Sequence, residues 1–163
     1  AQIEKILLNA LKIKPCQECE NAPKDGSCII NDDMQVIYKK VDESDAIILA
    51  SPIFFGSLSA QTKIMIDRFQ CIWTAKNIYK TLPNRNKKPG AFICVEGTDI
   101  PKFFENAKSI IKNYFATIDV SYGEELFCAG VDKKGNINKF PDYIKKAFEL
   151  GVRIASCKNR DTS

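Results

Sequence analysis

The 163-residue chain contains no histidine. A histidine base, a histidine partner for a nucleophile and a histidine metal ligand are all excluded, and with them most hydrolase triads and most zinc sites. No apolar run approaches the roughly 20 residues that cross a bilayer, and the first residues lack the charged and apolar regions of a signal peptide. The expectation is a cytoplasmic protein with no membrane partner. No internal repeat is present. The cysteines number seven, an odd count scattered through the chain, which is not the framework of a secreted disulfide scaffold, so reduced thiols are expected. The net charge of +4 comes from scattered lysines and one denser cluster, Arg85-Asn86-Lys87-Lys88, which reads as a solvated loop. A nucleic-acid partner is therefore not expected.

What remains has the composition of an ordinary globular protein, 45% hydrophobic and 27% charged. Its length suits one domain, residues 1–163, with one substantial core. The chain is organised around Ser51 to Lys63. The run Ala46 to Ala50 is short and continuously apolar, as expected of a parallel strand covered on both faces. Pro52, without an amide hydrogen, is expected to stop the ladder. Gly56 allows a turn, and Ser57 or Ser59 can cap a helix carrying Leu58, Ile64, Met65 and Phe69. A loop at the carboxyl end of a strand, aimed at a helix start, suits a flat, partly anionic ligand. The adjacent Phe54 and Phe55 suit a π-faced cofactor; the competing reading turns one ring inward as core and packs the other on a neighbouring loop.

Elsewhere, helical spacing predicts helices over Ala1 to Ala10, from Asn31 or Asp32 to about Val41, from Pro101 to about Tyr114 and from Pro141 through Ala155. Cys71 to Tyr79 is expected to extend the central helix, and its Trp73 reads as packing or a subunit contact. Gly90–Val95 and Leu126–Val131 read as further core strands, and Asp42 to Asp45 as a solvated acidic turn. The tail from Lys158 to Ser163 has no apolar pattern and is expected to fray. The alternation of strands and helices predicts a doubly wound parallel sheet in three α/β/α layers.

The stretch Ser51 to Lys63 closely resembles the S-P-[IV]-[YF]-F-G-S-[VL]-S-A-Q-x-K signature of the NAD(P)H-dependent FMN reductase and iron-sulfur flavoprotein family, and Asp67-Arg68 completes it. The resemblance implies a flavodoxin-like fold in which Ser51, Pro52, Ile53, Phe54, Phe55, Gly56 and Ser57 line the ring of FMN. Gly97 and Thr98, in the turn after the second strand, match the family's second flavin loop. Domains of this kind open with a strand and a phosphate loop, then a helix and a second strand, and this sequence shows neither strand nor loop. Either these elements are lacking, or segments are missing before Ala1 and between Ala10 and Leu11; the second is favoured, because a sheet without its first strands exposes an edge.

Cys16, Cys19 and Cys28 resemble part of the iron-sulfur flavoprotein pattern C-x2-C-x2-C-x4-7-C, with Ala22 at the third position. A cluster normally needs four thiolates, so an iron–sulfur cluster and a metal site are not expected; a structural loop and a redox-active C-x-x-C pair stay open. The resemblance implies an FMN-dependent oxidoreductase that takes hydride from NAD(P)H and reduces a small acceptor: a quinone, a flavin, an azo or nitro compound, or a metal. It names no catalytic side chain, and it implies a homodimer or homotetramer. The alternatives are an electron-transfer iron-sulfur flavoprotein working with ferredoxin, and a flavin-less binding domain of the same fold.

Overall fold

The computed structural model describes residues 1–157; the tail expected to fray, 158–163, lies outside them. Helix α1 (Met34–Glu43) leads to strand β1 (Ile47–Phe54) and the two-residue strand β2 (Ser57–Leu58). Helices α2 (Ala60–Asp67) and α3 (Gln70–Thr74) and a π-helical turn (Ala75–Tyr79) precede β3 (Lys88–Val95). Helix α4 (Pro101–Thr117), strand β4 (Val120–Cys128) and helix α5 (Pro141–Ser156) complete the order. The sheet runs β2-β1-β3-β4, parallel throughout except for β2, which folds back antiparallel on the end of β1.

Two apolar clusters flank this sheet. Met34, Ile37, Met65, Phe69, Phe92, Ile111 and Phe115 bring α1, α2 and α4 onto one face, while Leu150 and Ile154 of α5 pack on Ala91, Leu126 and Cys128 on the other. The layers are thus α/β/α, and the three-layer arrangement read from the alternation, with the flavodoxin-like class that the resemblance implies, holds. Coverage of β1 is less complete than its apolar run predicts. Alternate side chains of a strand face opposite ways. Ile47 and Leu49 pack on the first cluster, whereas Ile48 stays 47% exposed on the α5 side. Along 47–52 the strand pairs only with β3, so its other edge is open.

Several boundaries differ from expectation. Ala1 to Ala10 is not a helix: only Leu8–Ala10 make a 3-10 turn. A ten-residue helix is marginal in water without packing, and Ile3 finds none. The Leu11 amide closes that turn on the Leu8 carbonyl at 3.2 Å. Strand β4 begins at Val120 and ends at Cys128 rather than spanning 126–131, since pairing with β3 admits Glu124 and Glu125 into the ladder. Pro52 does not end its strand, because a proline on an open edge has no ladder donor to lose. The parallel register does close there, at Pro52 beside Val95, and β1 continues two residues further against β2.

Candidate functional site

The carboxyl edge of the sheet carries two turns, one after β1 and one after β3. Phe54 pairs with Ser57, which leaves Phe55 and Gly56 as a two-residue hairpin loop with φ of +50° and +76°. Positive φ at both central residues is the signature of a type I′ turn, which Asn-Gly normally fills. A bulky aromatic at the first position is sterically strained. Phe55 is also fully exposed (109%), and Phe54 is 58% exposed. Neither ring turns inward, so the core reading of this pair is not what the fold does with it.

Gly56 is buried and cannot be replaced without displacement, since a Cβ there would lie 2.9 Å from the Phe103 ring. Its carbonyl accepts a hydrogen bond from the Asn106 side-chain amide at 2.8 Å. Both contacts come from the first turns of α4, which begins where the second turn ends. The two turns are thereby held to one another through α4.

The remaining sequence-predicted residues divide by exposure. Ser51 is buried, its hydroxyl donating to the Pro52 carbonyl (2.9 Å) and accepting from the Ser59 amide (3.1 Å) and the Thr62 hydroxyl (3.2 Å). Ile53 lies in the core, and Pro52 and Ser57 are half-buried. Of the two serines expected to cap the helix, Ser59 does so, its Oγ accepting from the Thr62 amide (3.4 Å), while Ser57 lies in β2. Gly97 and Thr98 are exposed. A side chain at Gly97 would meet Asp132 Oδ1 at 3.1 Å, so the close approach it permits is to the chain's own loop.

One residue the sequence reading passed over is Glu96, the first residue after β3. It is only 3% exposed. Its backbone is tied to the end of β4, with the amide donating to the Cys128 carbonyl (3.0 Å) and the carbonyl accepting from the Val131 amide (2.8 Å). Its Oε1 accepts from the Ile100 amide (2.6 Å) and the Thr98 hydroxyl (3.3 Å), while Oε2 is buried without a hydrogen-bond partner. The available signal was a carboxylate directly after an apolar strand.

The cysteine loop is positioned from the far end of α2. Arg68 is buried, and its Nη1 donates to Asp32 Oδ2 (2.7 Å) and the Lys14 carbonyl (2.9 Å) while Nη2 donates to Cys28 Sγ (3.3 Å) and the Ile30 carbonyl (3.3 Å). Burial alone would raise the Asp32 carboxyl, but the Arg68 guanidinium and the Lys14 and Met34 amides hold it below the usual carboxylate range. Beside it, burial pushes the Cys71 thiol and the Tyr38 hydroxyl up. Among the described residues, no three Cys, Asp or Glu side chains are grouped to hold a metal ion. Trp73 lines a separate groove of about 330 Å³ with Lys63, Gln70 and Asn113, away from both turns.

A family model described as NADPH-dependent FMN reductase matches residues 1–101. An iron-sulfur flavoprotein of Archaeoglobus fulgidus is 40% identical over 154 residues, covering 94% of this chain and 64% of that protein. An iron-sulfur flavoprotein of Methanosarcina thermophila is 33% identical over 67 residues, covering 41% of this chain and 35% of that protein. The chain thus spans less than two thirds of the length of either relative. Among solved structures, a flavone reductase superposes with a TM-score of 0.69 at 17% identity, covering 98% of this chain and 53% of that one. The Trp repressor binding protein from Bacillus subtilis gives 0.59 at 19% identity, covering 86% and 79%. At these identities the likeness shows the fold. No helix among the described residues is long and apolar enough to cross a membrane.

Proposed function

Because the chain belongs to the NADPH-dependent FMN reductase family, we propose that it works as a flavin-dependent oxidoreductase, taking hydride from NAD(P)H and passing electrons through FMN to a small acceptor. The observation that carries this reading is Phe55. Folding places a fully exposed aromatic at a strained positive φ, on a turn where a small polar residue is normally found. The strain is costly whether or not a ligand is bound, and the apolar exposure is relieved when a flat ring covers the side chain.

The ring half of FMN suits what is present: Phe54 and Phe55 offer apolar faces, and the Gly97–Thr98 turn offers polar groups beside them. Among the described residues, 1–33 form a 3-10 turn, the cysteine loop and connecting chain outside helix and strand, and none of them is a counterpart of the family's phosphate loop. Bound FMN supplies the hydride and single-electron chemistry. The chain's part is to hold the ring, exclude water from one face with the two phenylalanines, and leave the other face to the donor. The donor, the acceptor and a homodimeric or homotetrameric assembly are part of the same proposal.

An iron–sulfur cluster suits the chain less well, although the relatives carry that name. Ala22 stands where a third thiolate would be, and Cys28 is engaged by Arg68. The test is an absorbance spectrum of the protein mixed with FMN, before and after NADPH without oxygen. Flavin bands that shift on binding and bleach with NADPH support the reductase. A broad brown shoulder with iron supports electron transfer with ferredoxin as partner, and a protein that leaves FMN unchanged overturns the flavin reading.

A further inference from the structure

The hairpin after β1 keeps its shape against the preference of its first loop residue. Gly56 suits its φ of +76°, but Phe55 at +50° does not. Backbone strain persists where the surrounding structure over-determines it. Here that structure is α4. Phe103 and Asn106 stand three residues apart on this helix and so share a face. The Phe103 ring occupies the space a Cβ on Gly56 would need, and the Asn106 side-chain amide donates to the Gly56 carbonyl at 2.8 Å. The hydrogen bond of a turn joins its outer residues, which leaves the carbonyls of the loop residues outside it. Among the described residues, Asn106 is the only side chain hydrogen-bonded to Phe55 or Gly56. Its support is rigid. Phe104 and Ala107 on either side of it lie in the core, and the helix start is fixed by the Ile100 amide donating to Glu96 Oε1 at 2.6 Å.

We infer that Asn106 is a positioning residue, which holds the hairpin in the form that displays Phe55 before any ligand arrives; what this does for FMN rests on the flavin reading above. A bond of this kind shifts an equilibrium about 2- to 10-fold. The left-handed backbone at a side-chain-bearing residue opposes it by about 5- to 30-fold. The two are of similar order, so loss of the donor lets other turn conformations compete. A loop already in its bound form spares the ligand the cost of ordering it.

The experiment places Asn106→Ala and Asn106→Asp in the native protein and in Phe55→Asn. Asn106 is exposed and alanine is the better helix former, so folding is not at stake. Aspartate keeps the shape but, when ionised, has no donor. The backbone resonances of residues 55 and 56 report the turn in the free protein, and FMN titration reports the site. Both substitutions should shift or broaden those resonances and weaken FMN binding about 2- to 10-fold. In Phe55→Asn the same substitutions should leave the resonances in place, because Asn-Gly adopts this turn unaided. Resonances that stay put in the native background, or that move equally in both, overturn the role of Asn106, as does a native-like turn in Asn106→Asp. A native protein that does not bind FMN overturns the flavin reading, while the resonances still decide the role of Asn106.

Discussion

Residue 55 sets a phenylalanine where the backbone has φ of +50°. An L-residue in this region costs about 1–2 kcal/mol, and asparagine tolerates it far better. Phe55→Asn should therefore stabilise the apoprotein by about 1 kcal/mol in urea unfolding and weaken FMN binding by about tenfold, because an aromatic contact is lost. Loss of both stability and affinity would mean that Phe55 packs as core. The thiols separate at the same scale. Burial, then the nearby Cys128, Glu96 and Glu125 charges, push Cys94 up to about 12, and burial raises Cys128 too. At pH 8 Cys94 is then thiolate to roughly one part in ten thousand. Alkylation followed by peptide mapping should label Cys94 and Cys128 last, and Cys16 and Cys19, which are half-exposed, before them.

The element most dependent on one side chain is the cysteine loop, which Arg68 at the end of α2 ties to Asp32 at the start of α1. Breaking a buried pair from one side leaves a charge uncompensated, so Arg68→Met should cost about 3–5 kcal/mol in chemical denaturation. The acid dependence follows from Asp32. Its folded carboxyl lies below 3.8, so the unfolded chain takes up the proton first as pH falls. Its contribution to stability is complete above that value and disappears as pH falls through the lowered folded value. Asp32→Asn should reduce stability near neutrality and flatten its decline between about pH 5 and pH 2, as followed by circular dichroism. An unchanged acid limb would remove Asp32 from the account.

Among the described residues, β3 is paired along both edges over its length, whereas β1 has a second partner only at Ile53 and Phe54, against β2, and β4 is open along one side. Opening free energy follows pairing and burial. Amide exchange should be slowest in β3, from Ala91 to Cys94, and faster by orders of magnitude at Ile48 and Ala50 on the open side of β1. Equal protection of β1 and β3 would show that another chain covers that edge, as a homo-oligomer could. The exposed Ile144, Phe148 and Val152, spaced four apart on α5, lie on the same incompletely covered side of the molecule as Ile48.

Local pattern alone determined the alternation of apolar strands and helices, a serine cap at Ser57 or Ser59, the proline-initiated helices at Pro101 and Pro141 and the turn at Gly56. Each depends on dihedral preferences and periodicities within a few residues, which sequence spells out. The failures were all non-local. Ala1 to Ala10 has helical spacing but nothing to pack on, and the charged start of β4 is a strand only because β3 lies beside it. Only the tertiary structure decided that both phenylalanines stay outside while Ser51 turns in, that Arg68 reaches Lys14 and Cys28, and that Glu96 is enclosed with one oxygen unmatched. Burial and hydrogen-bond partners are set by chain brought from 36 to 54 residues away, as the Arg68 and Gly56 contacts illustrate, and no local window contains them.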